Sequence, residues 1–201
     1  MKRFLLLFYL INIIYCYHDY RLVSQNPGYI KYLKRKYNLD KKLPEFKFRE
    51  IYFNETTKNK NTNDYFKNKK CILFGLPGAF MSNNYLQDYE MLYNNFTKLG
   101  IDEIYCVSVN DVFVVKKWRE LENINNVKMI ADNSCSFTKS IGMNITWNSH
   151  KELGERCCRF SAYIDNNVII NKFIEKPFNK SLDSVNLSDA QTMLNYLKSV
   201  L

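Results

Sequence analysis

CILFGLPGAFMSNNYL, residues 71–86, decides the fold of this 201-residue chain. CILFG (71–75) has no polar member and reads as a strand buried on both faces. Pro77 and Gly78 interrupt it, and helical spacing then begins: Leu86, Tyr89, Leu92, Tyr93, Phe96 and Leu99, with Gly100 as the stop. A strand thus delivers a loop to the mouth of a helix, where N–H groups and partial positive charge are exposed. Met81, Ser82, Asn83 and Asn84 fill that loop, and none is an obvious catalyst.

Other elements extend from this unit in both directions. FKFREIYF (46–53) alternates as an outer strand, and 56–70 reads as a polar connection. IYCVSV (104–109) is a second buried strand, DVFVVKKWREL (111–121) an amphipathic helix, VKMIAD (127–132) a third strand and SCSFTKSIG (134–142) a short helix. FSAYID (160–165) and VIINKFIE (168–175) flank Asn166-Asn167, the two-residue connection of a hairpin. SDAQTMLNYLKSVL (188–201) opens on Ser and Asp at a cap and reads as a closing helix. Alternating strands and helices, a hairpin and a helix predict an α/β fold: a central mixed sheet with an antiparallel end, flanked by helices. A thioredoxin-like layout satisfies this order.

Charge and hydropathy divide the chain. Apolar residues make up 46%, enough for a sizeable core. The net charge is +9, but residues 17–42 hold seven Lys/Arg against Asp19 and Asp40, and Lys2 and Arg3 add two more. Only +2 is left for residues 43–201, so nucleic-acid binding loses its main support. Met1-Lys2-Arg3 followed by the apolar run FLLLFYLINII (4–14) reads as a signal peptide over residues 1–16; the run is too short for a stable membrane span. The basic, acid-poor leader of residues 17–42 then resembles a two-part plastid address of the apicoplast type. Secretion or retention in the ER lumen is the alternative destination. Residues 43–201 remain for one domain.

Cysteines do not form a disulfide framework. Cys16 falls in the signal segment, and Cys71, Cys106, Cys135, Cys157 and Cys158 are odd in number. Cys71 and Cys106 sit in apolar runs and read as small hydrophobes. Cys157 and Cys158 form either a vicinal disulfide or plain packing. Metal binding by that pair with His150 matches no strong zinc spacing, and neither a metal nor a cofactor is expected.

LFGLPGAF (73–80), CVSVNDVFVVKKW (106–118), ADNSCSF (131–137) and RCCRFS (156–161) occur in the order and near the spacing of one family. They resemble peroxiredoxins of the Prx5 subfamily, and Leu43-Pro44-Glu45-Phe46 resembles that family's entry segment. The resemblance covers roughly residues 38–201. It implies a redoxin domain of thioredoxin-like fold, a hydroperoxide substrate and a thiol reductant. It also implies antioxidant work in redox homeostasis and a homodimer or a heterodimer with a related peroxiredoxin. In the family the loop reads P-G-A-F-T-P-x-C. The Cys thiolate cleaves the peroxide, the Thr hydroxyl orients it, and an Arg from a distant strand stabilises the thiolate and polarises the substrate.

Residue by residue, Pro77, Gly78, Ala79 and Phe80 match this pattern, and Arg159 matches the family Arg. Met81 stands where the family has Thr, Ser82 where it has Pro and Asn84 where it has Cys; the loop is also shorter than the family's. No shift in register restores the nucleophile, because residues 72–105 contain no Cys. Asn83 or Asn84 suits a helix N-cap instead. One expectation is therefore a peroxiredoxin-like pseudoenzyme that acts through binding. Another is a glutathione- or thioredoxin-dependent peroxidase using a displaced thiol. Cys157 is the candidate, on a shared strand face with Arg159 and with Arg156 and Arg159 lowering its pKa. A third is a transcript that encodes Cys within residues 81–84. Without a thiolate, Arg159 reads as a carboxylate partner or a remnant.

Overall fold

A computed structural model of the chain describes residues 42–51, 57–81, 84–146, 151–175 and 187–201. Along the chain the elements are β1 (Lys47–Ile51), β2 (Thr57–Asn61), α1 (Thr62–Phe66) and β3 (Lys70–Leu76). Helices α2 (Tyr85–Met91) and α3 (Tyr93–Lys98) precede β4 (Glu103–Ser108), α4 (Val112–Leu121), β5 (Lys128–Ala131) and α5 (Ser136–Ser140). The short strands β6 (Asn144–Ile145) and β7 (Arg156–Cys157) lead to β8 (Phe160–Asp165), β9 (Val168–Ile174) and the closing helix α6 (Ala190–Val200).

The central sheet has the order β5-β4-β3-β8-β9. β3 runs parallel to β4, and β4 to β5, whereas β8 lies antiparallel to β3 and β9 to β8. This is the mixed sheet with an antiparallel end that the sequence predicts, and with its flanking helices it forms a thioredoxin-like fold. The β8–β9 turn needs left-handed backbone, and Asn166 and Asn167 supply it at φ 48° and 65°.

β3 has no polar face because both of its faces are covered. Cys71 and Leu73 join a cluster with Phe48, Tyr65, Phe66, Val107, Phe137 and Phe160 on one side. Ile72, Phe74 and Leu76 alternate to the other side, against Leu86, Tyr89, Phe96, Met193 and Leu197. Burying each such side chain contributes about 1.5–3 kcal/mol before the ordering entropy is subtracted.

Residues 56–70 depart from the sequence reading. They hold β2, which pairs antiparallel with β1 in a separate two-stranded ribbon, and α1. TKNKN has no apolar alternation because its stability comes from backbone pairing, from Lys47 opposite Asn61 to Ile51 opposite Thr57. α1 starts on a capping box: the Asn61 side chain accepts from the Asn63 and Asp64 amides, and Asp64 accepts from the Asn61 amide at 2.7 Å. The predicted helix of residues 85–99 breaks into α2 and α3 at Leu92. Among the described residues no helix is long and apolar enough to cross a membrane.

Candidate active site

The PGAF loop leaves the C-terminal end of β3 between two supports. Asn110, just after β4, accepts a hydrogen bond from the Ala79 amide at 2.7 Å. Arg159, between β7 and β8, is only 6% exposed and donates from Nη2 to the Met81 carbonyl at 2.8 Å. Arg159 is itself set by the sheet edge, since its carbonyl accepts from the Glu175 amide at 2.9 Å. Pro77 and Gly78 are buried in the loop's base. Phe80 turns left-handed at φ 61°, leaving its ring 58% exposed within 6.2 Å of the Trp118 ring. The loop then runs through Met81, which is half-buried, to Asn84; Ser82 and Asn83 lie outside the described residues.

Asn84 occupies the N-cap of α2, as the sequence predicts by position, but its side chain makes no cap hydrogen bond. Its backbone is left-handed (φ 65°, ψ −3°), whereas a capping side chain needs an extended residue to reach back to the N2 and N3 amides. Asn is here because it tolerates that conformation. Its carbonyl carries the first helical bond, from the Asp88 amide at 2.8 Å. What holds α2 in place lies elsewhere. Tyr85 Oη donates to Ser188 Oγ (2.7 Å) and Tyr89 Oη to the Ser188 carbonyl (2.9 Å), and the Tyr89 ring stacks on Phe74 at 4.0 Å.

Arg156 joins the site from β7. Its Nε donates to the Leu153 carbonyl at 2.7 Å and its Nη1 to the Val109 carbonyl at 3.0 Å. Sequence reasoning treats Arg156 only as a neighbour of Cys157 and overlooks Asn110. The available signal for Asn110 is its place directly before Asp111, the residue that caps α4 through the Phe113 and Val114 amides.

The described thiols lie outside the loop, and all are buried. Cys71, Cys106, Cys135, Cys157 and Cys158 are all free and all buried. Cys157 and Cys158 are therefore packed thiols without a vicinal disulfide: Cys157 Sγ lies 3.1 Å from the Cys158 carbonyl, and Cys158 Sγ 3.9 Å from Met143 Sδ. The expectation that Arg156 and Arg159 lower the Cys157 pKa is overturned. Cys157 has no exposed surface, and burial pushes its thiol well up, with the neighbouring Cys158, Cys106 and Cys135 adding to the rise. Nor does one strand run through Cys157 to Arg159; β7 stops at Cys157 and pairs with β6. Burial likewise raises Cys71 and Cys158 to about 12 and Cys135 to about 11. Among the described residues no three His, Cys, Asp or Glu side chains group to hold a metal; His150 lies outside them.

The structure thus joins Arg159 to Met81 by a hydrogen bond, with Pro77 buried at the base of the same loop and Asn84 at its far end, while Cys157 lies on β7. The Cys157 sulfur sits against Gly75: a β-carbon built on Gly75 would lie 2.4 Å from Cys157 Sγ and 2.2 Å from Phe160 Cε1. The loop offers guanidinium and amide donors, a thioether and carboxamides, and no thiol.

Residues 38–194 match the Redoxin family. The chain is similar to a peroxiredoxin of Rhizobium etli, 42% identical over 146 residues, which is 70% of this chain and 81% of that protein. Its structure is similar to the Plasmodium falciparum antioxidant protein, a 1-Cys peroxiredoxin (TM-score 0.72, 31% identity, 79% of this chain and 98% of that one). It is also similar to reduced Prx3 of Vibrio vulnificus in complex with hydrogen peroxide (TM-score 0.70, 33% identity, 78% of this chain and 96% of that one).

Proposed function

This chain belongs to the peroxiredoxin family, and from that premise we propose that it is a Prx5-type member with impaired peroxidase chemistry that serves redox homeostasis by binding. The family's chemistry takes a hydroperoxide and a thiol reductant. One observation carries the reading: the loop gripped by Arg159 contains no thiol, and residues 72–105 contain no Cys at all. The amide of Asn84 is no nucleophile at neutral pH, and Met81 has no hydroxyl with which to orient a peroxide. Arg159, whose family counterpart stabilises a thiolate, donates here to a main-chain carbonyl.

The binding role draws on the retained scaffold. Phe80 on the loop (58% exposed) and Phe113 in the first turn of α4 (71% exposed) present large apolar side chains of the kind a partner covers. The partner we propose is a second copy of this chain or a related peroxiredoxin. We further propose that residues 1–16 are a signal peptide, that 17–42 direct the chain to an apicoplast-type plastid, and that 43–201 form the redoxin domain. A fluorescent fusion of the leader tests this, with export or ER retention as the contrary result.

A second reading, an active peroxidase using Cys157, draws on the contact of that thiol with Gly75, two residues ahead of Pro77. Purified protein supplied with hydrogen peroxide or an alkyl hydroperoxide, and with glutathione or thioredoxin, separates the two. Sustained turnover that Cys157→Ser abolishes supports the second reading. No turnover with a retained dimer or captured peroxiredoxin supports the first.

A further inference from the structure

The geometry points to Met81 as a site of oxygen transfer from hydroperoxides, a stoichiometric reaction of its thioether that needs no thiol in the loop. A β-carbon built on Gly78 would lie 3.3 Å from Met81 Sδ, 3.5 Å from Asn110 Oδ1 and 3.7 Å from Arg156 Nη1. The three atoms converge on one point above a residue that has only hydrogen there. The sulfur thus borders the same small space above Gly78 as a guanidinium nitrogen and a carboxamide oxygen. Arg159 fixes the main chain of the same residue through its carbonyl at 2.8 Å. Met81 is half-buried, leaving part of the residue open to solvent.

The chemistry balances without a further co-reactant. A lone pair on Sδ attacks one peroxide oxygen, the O–O bond breaks, and the second oxygen leaves with the electron pair. The proton of the transferred hydroxyl passes to that leaving oxygen, giving methionine sulfoxide and water, or an alcohol from an alkyl hydroperoxide. Sulfur is oxidised by two electrons and the peroxide is reduced by two. Negative charge develops on the leaving oxygen, where fixed N–H donors are most effective. Arg156 uses Nε on Leu153 and Nη1 on Val109, and a guanidinium carries five N–H donors, so others are available to that oxygen. The sulfoxide formed is polar and accepts hydrogen bonds from the same group.

The other described methionines, Met91, Met129, Met143 and Met193, supply internal controls. Met91 is 71% exposed and, among the described methionines, would oxidise fastest if access alone governed the rate; Met193 is fully buried. The full reduced chain is treated with one equivalent of hydrogen peroxide, and each methionine peptide is followed by mass spectrometry for the gain of one oxygen. Met81 is expected to oxidise about tenfold faster than Met91, equivalent to about 1.4 kcal/mol of barrier. Arg156→Gln is expected to bring the Met81:Met91 ratio down to one or below, with Met193 still unoxidised as the mark of a folded chain. Met91 outpacing Met81 in the wild-type protein overturns the assignment, whether or not the variant folds. A ratio unchanged in a folded Arg156→Gln also overturns it. Peroxide turnover beyond one equivalent counts against the proposed function and leaves this ratio test standing.

Discussion

Gly75→Ala probes the packing that buries Cys157. Gly75 lies in β3 opposite Phe160 of β8 and Val107 of β4, at the centre of the sheet. An added β-carbon would meet Phe160 Cε1 at 2.2 Å, Cys157 Sγ at 2.4 Å and Phe160 Cδ1 at 2.6 Å. Both partners are buried, Phe160 at 1% exposure and Cys157 at none, so neither side chain can swing into solvent. Relief requires the ring to retreat by about 1 Å or the β3–β8 pairing to open, and overpacking of this kind costs about 1–3 kcal/mol, occasionally more. The smaller entropy of the unfolded alanine chain offsets about 0.4–1 kcal/mol. Because all three contacts fall well inside van der Waals distance, the cost lies at the top of that range and a net loss of about 2 kcal/mol is expected, a large part of a typical domain's stability. Urea denaturation at pH 7 reads it as a lower midpoint at unchanged slope. Phe160→Ala in the same chain removes the tighter contact, so the double variant loses less than the sum of the single losses. Gly75→Ala within about 0.5 kcal/mol of wild type would refute the packing and with it the account of why Cys157 is inaccessible.

Thiol labelling at pH 8 should leave all five described cysteines unreacted in the folded chain and label them after denaturation. At a pKa of about 12, Cys71 and Cys158 hold about a thousandfold less thiolate than an ordinary thiol of pKa 9.0. Because the folded values lie above the unfolded one, stability is intact below pH 9 and falls as pH rises toward 12, measurable as a dropping Tm. Glu90 runs the other way. Burial alone raises its carboxyl, but the Val127, Asn126 and Asn125 amides bring it below the usual 4.5. Its contribution is present above that pH and lost on acidification through the folded value; Glu90→Gln should cost about 1–2 kcal/mol at pH 7 and flatten that acid limb. Sequencing the transcript across codons 80–86 should return Met81 to Asn84 as they stand, and a Cys codon there would remove the basis of the proposed function.

The sheet was legible because its strands announce themselves. CILFG and IYCVSV have no polar members and prove to be the central parallel pair, and Asn166-Asn167 prove to be the left-handed turn. β2 was not legible, since TKNKN is held by its main chain and carries no apolar pattern; the Asn61–Asp64 capping box beside it was the available signal. At the site, the motif pointed to Met81 and Arg159, which the structure joins by a hydrogen bond, but spacing cannot show backbone dihedrals or burial. Asn84 was read as a side-chain cap because its φ of 65° is invisible in the sequence. Cys157 is a candidate thiol in the sequence because Arg156 and Arg159 flank the Cys157-Cys158 pair, with plain packing as the other reading; burial, invisible in the sequence, raises its pKa instead.

Steady-state peroxide consumption by the purified chain tests the central claim most directly. With excess hydrogen peroxide and a thiol reductant, rapid consumption should stop near one equivalent per chain, with the oxygen recovered on Met81, and Cys157→Ser should change neither the amount nor the rate. Sustained multiple turnover that disappears in Cys157→Ser would contradict the account.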